Sequence, residues 1–322
     1  MSPDQDLIKH EPARMIQVEE DRIGQRIDNF LMLELKGVPK SRVYQMIRKG
    51  EVRVNKGRKK PDYKLQSRDL IRVPPIRRIT DNETFDYRFI TILEHIFFEN
   101  DEFLAINKPP GLAVHGGTGL QAGLIEALRS HRTEASYLEL AHRLDRDTSG
   151  LIIIAKKRSF LRRFQAALRS RRHLEKNYDV VVHGQWPKEV KSVVFPIQKV
   201  ELRSGERLSR VSDSGKPSQT RFTIKGHNRE ATWLSARLVT GRMHQIRLHA
   251  AEMGHPVVGD TKYGDESKDS ALATPRMMLH ATSMSLTSDP HAKMDSQLPE
   301  ITLNAPVEAI MANFIEQHFG PV

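Results

Sequence analysis

The chain has 322 residues, 38% hydrophobic and 28% charged, with 51 Lys and Arg against 40 Asp and Glu for a net charge of +11. That length allows two domains, the larger with a substantial core, and the basic excess favours a polyanionic partner, most simply nucleic acid. The absence of cysteine excludes disulfides, thiol nucleophiles, iron–sulfur clusters and cysteine zinc sites. There is no His-Glu-x-x-His helix, no Gly-x-x-x-x-Gly-Lys phosphate loop and no Gly-x-Gly-x-x-Gly turn, so no cofactor and no metal is expected. No long apolar stretch suggests a membrane span, and Met1 to His10 lacks a signal-peptide core. A cytoplasmic protein without membrane association is expected.

In chain order, residues 1–16 are polar, carry Pro3 and Pro12, and read as a flexible tail. Residues 17–75 read as a small module. Ile27, Phe30 and Leu31 have helical spacing; a second helix is expected from an N-cap at Ser41, with Val43 and Ile47 inward. Val52 to Gly57 reads as a strand entering a turn, and Leu70 to Val73 as another strand. Pro74-Pro75 closes the unit, and residues 76–86 read as a linker. Residues 1–75 hold 17 Lys and Arg against 11 Asp and Glu, or +6, so about half the excess charge lies in under a quarter of the chain.

Residues 87–322 read as one larger domain. Strands are expected at Val180–Val182, Thr220–Ile224, Thr232–Val239 and Gln245–Leu248. Arg158–Arg169 reads as an amphipathic helix, with Phe160, Leu161, Phe164, Ala167 and Leu168 on its apolar face. Arg158, Arg162, Arg163 and Arg169 lie on its basic face, a second candidate strip for RNA backbone. The most informative segment is His142-Arg143-Leu144-Asp145-Arg146-Asp147-Thr148-Ser149-Gly150, followed by the apolar run Leu151–Ala155, a buried strand by its length and β-branched content. A carboxylate at the mouth of a core strand, flanked by fixed positive charge, suits a nucleophile better than a general acid.

The block His-Arg-Leu-Asp, two residues, then Thr-Ser-Gly resembles the signature of the pseudouridine synthases related to ribosomal large-subunit synthase A. Further segments resemble that family in order: Asn107 to His115, Lys176-Asn177-Tyr178, Thr240 to His249, Gly254 to Gly264, and Met278 to Ala281. Ser218 and Val180 depart from alanines usual in the family. The pattern Val38-Pro39-Lys40-Ser41-Arg42, Ile47-Arg48-Lys49-Gly50, Val52 to Lys56 resembles the RNA-binding module of the ribosomal protein S-four type.

These resemblances imply an α+β fold: a synthase domain with a mixed, largely antiparallel sheet, plus a small N-terminal α/β RNA-binding module. They imply that Asp145 is the essential carboxylate, that Arg247 pairs with it and that Tyr178 stacks on the target base. Arg143, Lys176 and Leu248 are implied as substrate-binding, with Arg143 filling the space of a flipped nucleotide. Lys40, Arg42, Arg48, Lys49, Arg53 and Lys56 are implied as RNA contacts that anchor without reading sequence. Gly254 to Gly264 and Met278 to Ala281 are expected to be scaffold. The implied activity converts uridine within RNA to pseudouridine. Asp145 could open the reaction by attacking the base, attacking the sugar or removing a sugar proton.

Structured RNA, with large-subunit ribosomal RNA favoured, is the expected partner, and a monomer the expected state. Transfer RNA is the alternative substrate, and a non-catalytic RNA-binding ribosome-assembly protein the alternative role; the latter is disfavoured by intact Asp145, Tyr178 and Arg247. An aspartic hydrolase would need Asp-Thr-Gly or Asp-Ser-Gly and a second such carboxylate. An esterase would need a Gly-x-Ser-x-Gly elbow beside His115-Gly116-Gly117. Neither pattern is present.

Overall fold

A computed structural model describes residues 8–35, 38, 40–79, 92–116, 123–201, 207–288 and 297–321. The chain divides into two compact units, residues 1–86 and 87–322.

In the first unit, β1 (Ile8–Glu11) and β2 (Arg14–Gln17) precede α1 (Ile27–Glu34) and α2 (Lys40–Lys49), and β3 (Arg53–Val54), β4 (Leu70–Val73) and β5 (Ile76–Ile79) follow. β2, β4 and β3 make one antiparallel sheet, and β1 pairs with β5. Ile27, Phe30 and Leu31 from α1 and Val43, Met46 and Ile47 from α2 pack on Val54, Ile71 and Val73 of the sheet. Their i, i+3, i+4 spacing puts each set on one helical face. After β3, Asn55 and Lys56 take left-handed backbone (φ 50° and 65°), and Asn55 closes the turn by bonding Asp69 and the Leu70 amide.

Three expectations change here. Residues 8–11 and 14–16, expected in the tail, lie in strands, and residues 76–79 are a strand rather than linker; four-residue strands carry too few side chains to show a period. The rest of the expected linker, residues 80–86, lies outside the described residues. Ser41 lies inside α2, which begins at Lys40, so it is not the cap.

The second unit runs β6 (Ile96–Glu99), β7 (Phe103–Lys108), α3 (Leu124–His131), β8 (Glu139–Leu140), β9 (Ser149–Ala155), α4 (Arg158–Ser170), β10 (Leu174–His183), β11 (Ser192–Val194), β12 (Ile197–Glu201) and β13 (Arg207–Val211). It continues through β14 (Gln219–His227), β15 (Ala231–Leu238), α5 (Gln245–Glu252), α6 (Glu266–Ala271), β16 (Leu279–Leu286), β17 (Ile301–Asn304) and α7 (Ala309–Phe319). Its ten-stranded sheet has the order β11-β14-β15-β10-β16-β9-β7-β6, with β17 on β16 and β8 on β9. Among the described residues only β9 and β16 pair in parallel within it, so the sheet is mixed and largely antiparallel. β12 and β13 form a separate hairpin.

All seven residues of β9 are buried. Its neighbour β16 comes so close that a Cβ on Gly150 (φ 102°) would stand 2.3 Å from the Ala281 carbonyl oxygen, so the glycine that ends the His142–Gly150 block is required by the sheet. α4 buries Phe160, Phe164 and Ala167, the expected apolar face. Arg163, expected on the basic face, is instead held in an ion pair with Glu102, in the turn between β6 and β7, at 2.5 Å. Gln245–Leu248, expected as strand, opens α5. Residues 245–250 are all buried, so no polar face marks the helical period.

Candidate active site

Asp145 lies in the turn before β9, where the Thr148 amide donates to its carbonyl oxygen. Two side chains hold this turn. The His142 ring stacks on Phe164, and its Nε2 accepts the Ile153 amide of β9. Burial, helped by the Lys176 charge, lowers the His142 pKa to about 3, so the ring stays the neutral acceptor this bond needs. Lys108, fully buried at the end of β7, donates to the carbonyl oxygens of Pro109, Leu112 and Arg146 at 2.9, 3.0 and 2.9 Å. Burial pulls its pKa to about 7 against the opposing charges of Asp147 and Asp145. Three converging carbonyls are the acceptor set an ammonium can fill.

The Asp145 side chain opens on a cleft of about 860 Å³. Its charged neighbours are not the arginines beside it in sequence. Arg146 pairs with Asp147 at 2.9 Å, and Arg143 is exposed at the cleft with no carboxylate partner among the described residues. Instead Arg247 Nη1 approaches Asp145 Oδ2 at 3.6 Å, and His244 Nε2 approaches Oδ1 at 3.8 Å.

Arg247 does not spend its fork on Asp145. Its Nε and Nη2 donate to Asp260 Oδ2 and Oδ1 at 2.7 and 2.6 Å, with both side chains nearly inaccessible. Asp260 Oδ1 also accepts the Lys262 and Tyr263 amides. Burial would raise the Asp260 carboxyl, but the Arg247 bonds and charge with the two amides outweigh it and hold the pKa below its usual value. Burial would likewise lower the Arg247 pKa, yet Asp260 and then Asp145 hold it up. The Tyr263 ring lies 5.1 Å from the guanidinium carbon. Gly254 to Gly264, expected to be scaffold, therefore supplies the carboxylate that fixes the arginine's plane.

Tyr178 lies on β10 at a register shift against β16, the kind of local irregularity that re-aims a side chain, and it borders the cleft with 7% exposure. Burial, with the Asp145 charge nearby, pushes its hydroxyl above the usual tyrosine range. Lys176, two residues earlier, borders the same cleft; burial lowers its pKa to about 8. Leu248, expected to bind substrate, is buried and is not among the residues bordering the cleft; the side chains of α5 that do border it are Gln245, Ile246 and Arg247. In all, ten Lys and Arg side chains border the cleft against two carboxylates, Asp145 and Glu175, so it is a strongly positive groove.

In the first unit Arg48, Lys49 and Lys56 are exposed and Arg53 is half-buried. Arg42 is committed to Glu51 at 2.8 Å, which weakens it as an RNA contact. Lys40 opens α2, and its side chain lies outside the described residues. Among the described residues no group of His, Asp and Glu side chains is arranged to hold a metal ion, and no helix is long and apolar enough to cross a membrane.

A carboxylate in the turn before β9 thus borders a cationic cleft together with a buried tyrosine and an arginine fixed by Asp260. The profile of RNA pseudouridylate synthases matches residues 102–252, and that of the S4 domain matches residues 25–71. The chain is 47% identical over 314 residues to the ribosomal large subunit pseudouridine synthase C of Pasteurella multocida (strain Pm70), covering 95% of this chain and 94% of the relative. It is 49% identical over 291 residues to the protein of that name from Haemophilus influenzae, covering 88% and 90%. The solved structure of human RNA pseudouridylate synthase domain containing 4 shares the fold, with a TM-score of 0.57 at 21% identity over 71% of this chain and 94% of that one. This chain belongs to the RNA pseudouridylate synthase family, and is an isomerase with an N-terminal S4 domain.

Proposed function

We propose that the protein isomerises uridines in large-subunit ribosomal RNA to pseudouridine, with Asp145 as the essential carboxylate. The observation that carries this reading is the placement of Asp145, Tyr178 and Arg247 around one cationic cleft, in a chain 47% identical along nearly its whole length to a ribosomal large-subunit synthase.

The reaction breaks the bond from ribose C1′ to uracil N1, turns the uracil, and joins C1′ to C5. A proton leaves C5 and one is gained at N1, so atoms and electrons balance within the substrate and no cofactor is required. A stacked base cannot reach a carboxylate recessed in a cleft, so the target nucleotide must be flipped out, at a cost of a few kcal/mol. The cationic groove offsets that cost through phosphate contacts. Exposed Arg143, without a carboxylate partner among the described residues, takes the space the base vacates. Tyr178 holds the flipped uracil by stacking, worth about 1–3 kcal/mol. Arg247, its plane set by Asp260, keeps one N–H directed at Asp145 and so holds the carboxylate's orientation as the glycosidic bond breaks. The exposed Arg48, Lys49 and Lys56 of the S4 domain anchor RNA backbone and add affinity without choosing the uridine. A soluble monomer acting in the cytoplasm completes the reading.

The test is carbodiimide mapping of pseudouridine after incubating the purified protein with unmodified large-subunit ribosomal RNA and, separately, with transfer RNA. Reverse-transcription stops in the ribosomal RNA are expected. Stops in transfer RNA alone would move the substrate class, and tight ribosomal RNA binding without stops would favour the non-catalytic role.

A further inference from the structure

His244 precedes α5 with left-handed backbone (φ 56°) and borders the cleft, its Nε2 lying 3.8 Å from Asp145 Oδ1. Its Nδ1 lies 2.8 Å from the Tyr263 hydroxyl oxygen. That hydroxyl donates to the Ser209 carbonyl oxygen at 3.1 Å and accepts the Ser209 amide at 3.1 Å. A hydroxyl has one hydrogen to give. With that hydrogen directed at Ser209, Tyr263 can only accept from Nδ1. In that arrangement the imidazole hydrogen sits on Nδ1, and Nε2 presents its lone pair toward Asp145 and the cleft. Burial lowers the His244 pKa, opposed by Asp145 and Asp260 and assisted by Arg247 and Lys262, so the ring is neutral near pH 7.

We propose that His244 Nε2 is the base that removes the hydrogen from C5 of the rearranged uracil. The proposal rests on the synthase reading above and adds a residue to it. Once C5 has bonded to C1′, it carries both the sugar and its hydrogen, and the ring holds an N1=C6 double bond. The C5–H electron pair becomes the C5=C6 bond, the N1=C6 pair moves to N1, and N1 takes a proton. The proton from C5 goes to Nε2, and the resulting imidazolium is stabilised by the Asp145 carboxylate beside it. One proton passed on to N1 restores the neutral ring, so no net proton, oxidant or co-reactant is needed. The other side chains beside Asp145 do not suit this step. Arg247 has no lone pair to offer, and the Tyr178 hydroxyl is held protonated by burial and by Asp145. A base for C5 has to stand close to that carboxylate, because C5 replaces N1 at the same sugar carbon.

The test compares large-subunit ribosomal RNA transcribed with uridine and with 5-fluorouridine. A fluorinated C5 has no hydrogen to lose, so rearrangement of that RNA ends before the proposed step. His244→Asn keeps a residue type that tolerates left-handed backbone but offers no base. On uridine RNA its single-turnover rate should fall about 100-fold or more, the low end for a positioned base, while consumption of fluorouridine RNA stays within about threefold of wild type. Nucleoside chromatography of nuclease digests reads both. The wild-type rate on uridine RNA should also fall as acid protonates the imidazole, a limb that His244→Asn lacks. Equal loss on both RNAs with an unchanged unfolding midpoint would make His244 a support for Asp145 and overturn the proposal, as would no loss on uridine RNA. If His244→Asn lowers the midpoint, Tyr263→Phe carries the test. It frees the tautomer and must slow uridine RNA but not fluorouridine RNA; equal slowing, or none, overturns the proposal. A wild type that makes no pseudouridine from uridine RNA would instead refute the synthase reading itself.

Discussion

Asp260→Asn isolates the group that fixes Arg247. The wild-type pair joins two nearly inaccessible side chains through bonds of 2.6 and 2.7 Å. Breaking a buried pair by removing one partner costs about 3–5 kcal/mol, because the surviving charge is left uncompensated. The amide keeps one acceptor oxygen, and the Arg247 guanidinium still has Asp145 at 3.6 Å, so a loss of about 3 kcal/mol is expected. For a unit of this size each kcal/mol shifts the midpoint by about 2–4 °C, which predicts a fall of about 6–12 °C. The effect has a pH signature. The Asp260 carboxyl is held below its usual value when folded, so in acid the unfolded chain takes up that proton first. The stabilisation is complete above the unfolded value of about 3.9 and is lost as pH falls through the folded value. The gap between wild type and Asp260→Asn should therefore be full at neutral pH and narrow in strong acid. Turnover should fall as well, since a guanidinium released from Asp260 can rotate fully onto Asp145. Thermal melts across that pH range check the first claim, and single-turnover assays the second. A midpoint change under about 2 °C, or a gap that does not narrow in acid, would refute the reasoning.

Lys108→Met keeps length and burial but removes the ammonium that ties Pro109, Leu112 and Arg146 together. Turnover should fall about 10- to 100-fold with RNA affinity unchanged, as expected when a reacting group loses its position; single-turnover and filter-binding assays measure both. Tyr178→Leu should lose the stacking energy of about 1–3 kcal/mol, or about 5- to 150-fold in kcat/KM, while Tyr178→Phe should retain it; steady-state kinetics on ribosomal RNA separates the two. Removing residues 1–86 should weaken RNA binding yet leave residues 87–322 with a single cooperative melt, since the two units have separate cores; calorimetry of the truncated chain checks this.

Much of this site was legible in the sequence because its parts are local. Asp145 stands in an uninterrupted nine-residue block, and the apolar run after it could only be a core element. Tyr178 and Arg247 came from resemblance, and β10 and α5 bring them to the cleft that Asp145 borders. The supports were not legible because they act across the fold. Lys108 reaches a carbonyl 38 residues later, and Asp260 meets Arg247 across 13 residues, so neither leaves a pattern in its own neighbourhood. His244 matters through its hydrogen bond to Tyr263 and its distance from Asp145, both tertiary facts. Gln245–Leu248 read as strand because burial on every side removes the polar face that marks a helix. Arg42 and Arg163 read as RNA contacts because a sequence does not reveal the partners, Glu51 and Glu102, that hold them.

The central claim is that Asp145 is indispensable to the chemistry and not to holding RNA. Asp145→Asn tests it most directly, with filter binding to large-subunit ribosomal RNA measured beside single-turnover pseudouridine formation. Affinity close to wild type with no detectable product is the predicted result, the mark of a group needed only in the transition state. Turnover above about a tenth of wild type would contradict it.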